Sequence, residues 1–225
     1  MKSDYLGILS SIKQDIERYE ISQINKPSLI VVTKSQSKED IEKIVEAGNK
    51  CLGENYVDEA IKKIDFFKTR SLEWHFIAKI QSNKIKKISK YFDWVQTISS
   101  IKHAELLNQA CEGLSKKMNV CIQVNIDREQ SKSGILIEDL DDLIVNILPL
   151  NNLILRGLMA IPSKINALKE NINSYKILKA EYDRLSSKYL HLDTLSIGMS
   201  NDYKLALDNG SNMIRIGALI FGKRK

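Results

Sequence analysis

The amino-acid sequence predicts an α/β protein built as a single (β/α)8 TIM-type barrel with an extra N-terminal helix. Its 225 residues suit one barrel domain, a fold that runs to about 200–250 residues without splitting. Eight short apolar runs alternate with longer segments of helical period, the rhythm of strands joined by crossover helices in a parallel sheet. An open doubly wound sheet would normally carry a Gly-x-Gly-x-x-Gly turn after an early strand, and none is present. No internal repeat, low-complexity tract or proline-rich linker marks a second domain, so residues 1–225 are read as one unit.

The first element is an amphipathic helix with Ile8, Ile12 and Ile16 at helical spacing. The predicted strands are Leu29 to Lys34, Cys51 to Glu54, Trp74 to Ala78, Trp94 to Ile98, Val120 to Ile126, Leu153 to Ile161, Leu192 to Ile197 and Met213 to Phe221. Between the first two, Ser37 to Gly48 reads as a helix in which Ile41, Ile44 and Val45 share a face. Ser37 can cap its start and Gly48 can end it. Ile165 to Lys188 is another, with Leu168, Ile172, Tyr175, Tyr182 and Leu185 on one stripe, and a further helix runs through Tyr203, Leu205 and Leu207.

Composition excludes several function classes. Hydrophobic residues make up 43% of the chain, yet no apolar stretch approaches the roughly 18 residues that cross a bilayer, so a soluble protein without membrane contact is expected. Met1-Lys2-Ser3-Asp4 leads into alternating apolar and charged residues, unlike a signal or transit peptide, which predicts a cytoplasmic location. Cys51, Cys111 and Cys121 are odd in number and too far apart for a Cys-x-x-Cys pair. They read as reduced, mostly buried thiols, and no metal site is predicted. The net charge of +6 comes from lysines spread along the whole chain, and the densest run, Lys84 to Lys90, is interrupted by Ile85 and Ile88. That is a solvated helix face, and no aromatic RNP-type motif accompanies it, so nucleic acid is not an expected partner.

Three segments carry chemistry: Val31-Val32-Thr33-Lys34, Ser196-Ile197-Gly198-Met199-Ser200 and Ile214-Arg215-Ile216-Gly217. Barrel active sites lie at the C-terminal strand ends, with phosphate often held after the seventh and eighth strands. Lys34 closes the first predicted strand; screened from water, its amine can attack an aldehyde near neutral pH. A solvated strand-end lysine is the competing reading. The N–H groups and the hydroxyl of Gly198 to Asp202 suit a phosphate dianion, although Ser200 or Asn201 can equally be an ordinary helix cap. A nucleophile elbow is disfavoured because Asp202 stands where glycine is needed. Arg215 points toward the barrel interior or mouth, where a pyridine nitrogen or a carboxylate can accept from it. Lysine and phosphate cradle together suggest pyridoxal 5′-phosphate.

The chain resembles the pyridoxal phosphate homeostasis proteins, the YggS/PROSC family, along nearly its whole length. The matching stretches are Val31-Val32-Thr33-Lys34, Gly53-Glu54-Asn55-Tyr56, Trp74-His75-Phe76-Ile77, Gln81-Ser82-Asn83-Lys84, Ser131-Lys132-Ser133-Gly134, Arg156-Gly157-Leu158-Met159, Gly198-Met199-Ser200 with Asp202, and Ile214-Arg215-Ile216-Gly217 with Phe221-Gly222. The resemblance implies a barrel related to the alanine racemase N-terminal domain, with Lys34 carrying the cofactor as an internal aldimine. By the same similarity Ser200 and the backbone around Gly217 and Ala218 would hold the phosphate, Arg215 would face the pyridine nitrogen, and Asn55, His75 and Met159 would line the pocket. His75 reads equally well as a hydrogen-bonded core histidine. Two departures stand out: Ala78-Lys79-Ile80 where the family usually has Gly-Pro, and Ala218 where it commonly has threonine or serine.

The implied role is intracellular homeostasis of the cofactor, its buffering and delivery to apo-enzymes, with no catalytic residues assigned. Racemases bring a tyrosine acid from a second domain, which is not expected here, and two-sided proton transfer needs two positioned groups. A racemase-like enzyme is the alternative. The protein is expected to act as a monomer that touches apo-enzymes only transiently.

Overall fold

Eight parallel strands pair in sequence order and the last returns to the first, with Ile30 opposite Arg215, so the sheet closes into a barrel. This is a computed structural model, and it describes residues 5–20, 27–163 and 172–222. The strands are β1 Ser28–Val32, β2 Cys51–Glu54, β3 Glu73–Phe76, β4 Trp94–Ile98, β5 Met118–Val124, β6 Leu153–Ala160, β7 Thr194–Ser196 and β8 Met213–Ile216. The helices are α1 Tyr5–Glu20, α2 Lys38–Glu46, α3 Val57–Phe66, α4 Ile85–Tyr91, α5 Ile101–Glu112, α6 Leu140–Ile147, α7 Ile172–Lys188, α8 Tyr203–Asp208 and α9 Ala218–Phe221. The predicted (β/α)8 barrel with an extra first helix is the observed architecture.

The strands read as short apolar runs because both of their faces are covered, by helices outside and by side chains inside. All five residues of β4 are buried. Inside the barrel Ile30, Trp94, Cys121, Met159 and Met213 form a separate apolar cluster. The helices bury one stripe each. In α2 these are Ile41 and Ile44, fully buried, each contributing about 1.5–3 kcal/mol of apolar burial. Ser37 Oγ accepts from Asp40 N–H at 3.1 Å to cap that helix. Helix α1 buries Leu9, Ile12 and Ile16; Tyr203 of α8 donates to its Asp15 at 2.7 Å, and Tyr5 meets Phe221 of α9 edge to face at 5.4 Å.

The ends of the elements differ from expectation, and the differences build the site. The run Met213 to Phe221 is not one strand: β8 stops at Ile216, and Ala218–Phe221 turns into a short helix. Gly217 stands at the break, and a Cβ there would lie 3.0 Å from the Val32 carbonyl oxygen of the adjacent strand, which accounts for the glycine. The first strand likewise ends at Val32 rather than Lys34, and the chain turns through Ser35 at φ 62°. Strand β3 stops at Phe76, β5 starts at Met118 and ends at Val124, and β7 is only Thr194–Ser196. The cap of α8 is Asp202, not Ser200 or Asn201. Of the helix expected over 165–188, residues 165–171, including Leu168, lie outside the described residues; the rest is α7, burying Tyr175, Leu178 and Leu185. Cys111 and Cys121 are buried and Cys51 half-buried, all three free thiols. Among the described residues no helix is long and apolar enough to cross a membrane.

Candidate functional site

The turn after β1 is clamped from both sides. Thr33 N–H donates to the Gly53 carbonyl at 2.9 Å, and Thr33 Oγ1 donates to Glu54 Oε1 at 2.6 Å. Lys63 Nζ, buried on α3, donates to the Thr33 carbonyl at 2.7 Å, to Glu54 Oε1 at 2.7 Å and to Glu59 Oε1 at 2.6 Å. Glu59 Oε1 also accepts from Ser35 N–H at 2.6 Å. Burial pushes the Glu54 carboxyl above its ordinary range while Lys63 pulls the other way. The residues flanking Lys34 are therefore held by an ion cluster on the far side of the sheet.

Lys34 reaches a cavity of about 460 Å³ at the C-terminal end of the barrel, a size that suits a small organic ligand. Asn55, Ser200, Arg215, Gly217 and Ala218 share its wall. Asn55 Oδ1 is buried there without a hydrogen-bond partner. Two turns form the rim. In the first, Gly198 sits at φ 106°, and a Cβ would come within 2.6 Å of the Ala206 side chain. Asp202 then locks the turn: its Oδ1 accepts from Met199 N–H at 2.6 Å and its Oδ2 from the Tyr175 hydroxyl at 2.6 Å. The second turn is tied to it, because Ser200 Oγ accepts from Leu219 N–H at 3.0 Å. That bond leaves the Ser200 O–H to donate into the cavity beside Ala218, whose own N–H opens α9 and has no intrahelical acceptor.

Arg215 forms the floor and is buried inside the barrel. Its Nη1 donates to Ser196 Oγ at 2.5 Å and its Nη2 to the Ala160 carbonyl at 2.9 Å. Among the described residues no ion pair involves it. Desolvation lowers its pKa to about 10, which leaves it cationic at neutral pH. The carboxylate partner considered for it in the sequence is replaced by two neutral oxygens.

The cavity thus gathers six of the eight expected site residues, and His75 and Met159 are not among them. Ile77 and Ile161 line the wall; His75 and Met159 lie two residues earlier on the same strands, one layer deeper. Met159 belongs to the interior apolar cluster. His75 is fully buried, stacked on Trp94 at 5.2 Å, with Nδ1 3.1 Å from Gln96 Nε2 and Nε2 2.8 Å from Glu73 Oε1. Sequence reasoning missed the Glu54, Lys63 and Glu59 clamp, the Asp202–Tyr175 lock and the Ser196 support. Only the Glu59–Lys63 pair, four residues apart on one helix, left a signal along the chain. A second cavity of about 270 Å³ adjoins the first, shares Asn55, Ile77 and Ile161 with it, and is lined by Lys79 and Lys132.

Residues 9–225 match the family model described as alanine racemase, N-terminal domain, which defines the class: a barrel of the racemase N-terminal-domain type. Curated relatives called pyridoxal phosphate homeostasis protein are 40% identical in Pasteurella multocida over 224 residues, covering 96% of each chain. In Escherichia coli the figure is 40% over 200 residues, covering 88% of this chain and 86% of that one. PipY of Synechococcus elongatus, solved with pyridoxal phosphate bound, superposes with a TM-score of 0.85 at 28% identity, covering 97% of this chain and 100% of PipY. The chain belongs to the pyridoxal phosphate homeostasis protein family.

Proposed function

We propose that the protein binds pyridoxal 5′-phosphate at the barrel mouth, holds it on Lys34 as a reversible Schiff base, and buffers and delivers it to apo-enzymes with little or no catalysis. The observation that carries this reading is that Lys34, the Ser200–Ala218 rim and buried Arg215 open on one cavity. The relatives' names and the cofactor in PipY support it. The cofactor supplies an electrophilic aldehyde and an electron-withdrawing ring.

Lys34 would hold the cofactor through its amine, which can condense reversibly with the aldehyde, releasing one water on binding and taking one up on release. Ser200 O–H and the adjacent N–H groups would hold the phosphate, and orphaned Asn55 Oδ1 would offer the cofactor a polar contact. Arg215 stays cationic and only donates, so against a pyridine nitrogen it would keep that nitrogen unprotonated and weaken the ring as an electron sink. For proton transfer the described cavity wall offers Lys34 and Asp202, and both Asp202 oxygens are engaged within the rim. Storage and release suit this donor set better than turnover. The protein is proposed to work in this way as a cytoplasmic monomer.

The purified protein should show a visible absorption band that borohydride bleaches, leaving the reduced cofactor's mass on Lys34. Undiminished binding to Lys34→Ala overturns the reading. Rapid Lys34-dependent exchange of amino-acid α-protons with deuterated water would instead favour the racemase-like alternative.

A further inference from the structure

A second cluster of ligating groups lies at the opposite, N-terminal end of the barrel. Cys51 opens β2 and Glu73 opens β3, directly opposite each other in register, and His75 follows two residues on. Both side chains of β3 and that of Cys51 turn to the same interior face. Glu73 Oε1 is 2.8 Å from His75 Nε2 and 3.6 Å from Cys51 Sγ, and the three ligating atoms lie within 4.8 Å of one another.

We propose that Cys51, Glu73 and His75 form a three-residue site for a divalent metal ion of the zinc class, independent of the cofactor cavity. A tetrahedral zinc ion, with bonds of about 2.0–2.3 Å, places neighbouring ligand atoms about 3.3–3.6 Å apart. The Cys51–Glu73 spacing already meets that, and the His75–Glu73 spacing widens by roughly half an ångström. Glu73 is the ligand able to make this shift, because its side chain is 43% exposed while that of His75 is 0% exposed. The same exposure gives the ion its route in and leaves a fourth position for water. Thiolate, imidazole and carboxylate together favour zinc over magnesium or calcium.

The outer shell is present as well. Ligating histidines anchor their other ring nitrogen, and Gln96 is the group beside His75 Nδ1, at 3.1 Å through its Nε2 in the metal-free arrangement, where its Oε1 accepts from Ser196 Oγ at 2.8 Å. On metal binding the Cys51 thiol gives its proton to solvent and the His75 ring proton moves to Nδ1. Nδ1–H then donates to the Gln96 amide oxygen, with that amide turned about so that its NH2 donates to Ser196 Oγ in place of the bond Ser196 made to it. Arg156, a cation over the Trp94 ring, is answered by Asp193 at 2.5 Å, so it does not stand as an uncompensated charge against the ion.

The test is equilibrium dialysis of the chelator-stripped full chain against Zn2+, repeated with Co2+ as a spectroscopic probe. One metal per chain, a near-ultraviolet thiolate-to-cobalt band and a raised Tm are expected. Cys51→Ser should abolish the band, and both Cys51→Ser and Glu73→Gln should weaken binding at least ten-fold. Lys34→Ala should bind metal as the native chain does, which separates this site from the cofactor cavity. Absence of stoichiometric metal, absence of the band, or unchanged affinity in Glu73→Gln overturns the proposal; Glu73→Gln keeps an oxygen beside His75 and decides the matter even where Cys51→Ser fails to fold.

Discussion

Ser196 Oγ sits 2.5 Å from Arg215 Nη1, so the buried guanidinium rests on a neutral hydroxyl where a carboxylate would be the usual partner. Ser196 in turn donates to Gln96 Oε1 at 2.8 Å. This neutral support leaves Arg215 free to serve an acceptor in the cavity. Ser196→Ala removes one acceptor from a buried charge, at a cost of about 1–3 kcal/mol. Urea unfolding should show that loss, and a cofactor off-rate raised several-fold should accompany it; stability and off-rate both at wild-type values would contradict this role.

Lys63 is the hinge of the clamp behind Lys34. Lys63→Met would strand the fully buried Glu54 carboxylate next to Thr33, and breaking one side of a buried pair costs about 3–5 kcal/mol. The double variant Lys63→Met, Glu54→Gln should recover most of that loss in chemical denaturation, because the charge still left without its lysine, Glu59, is partly exposed to solvent.

Glu73 confers acid sensitivity. Burial raises its pKa, but the His75 hydrogen bond and charge outweigh this and hold it down to about 2. The folded value lies below the unfolded one, so this stability is complete above pH 4.5 and is lost as pH falls toward the folded value. Solvent exposure trims the effect to about 1–2 kcal/mol. Glu73→Gln should flatten the stability profile through that acid range, measured by thermal melts at successive pH values.

Ala218 leaves the rim leaning on N–H groups and the Ser200 hydroxyl. Ala218→Thr adds a second hydroxyl at an exposed position, where fold stability should change by less than about 0.5 kcal/mol. Cofactor residence should lengthen several-fold in stopped-flow transfer to an acceptor apo-enzyme, and an unchanged off-rate would argue that N–H donors alone saturate the phosphate.

Much of this was readable along the chain. Apolar runs such as Leu29 to Val32 announced buried strands, and the Ile41 and Ile44 stripe after Ser37 announced a capped helix. Lys34, Ser200 and Arg215 could be grouped because parallel strands bring their C-terminal ends to one rim. Strand ends were less legible, since the need for glycine at 217 comes from the Val32 carbonyl of β1, adjacent in the barrel but distant in sequence, 3.0 Å from its would-be Cβ. His75 shows the same limit: an interior position on a strand is visible in alternation, but the depth of its layer depends on how eight strands are staggered.

Local patterning by itself determined the (β/α)8 architecture and the lysine and glycine turns at the mouth, because burial periodicity and turn chemistry act over a few residues. Tertiary structure alone decided which charges meet. Glu54 finds Lys63, Arg215 finds Ser196, and Cys51 finds Glu73 through strand register and barrel closure, and the energy of a buried polar group depends on its neighbours in space rather than in sequence.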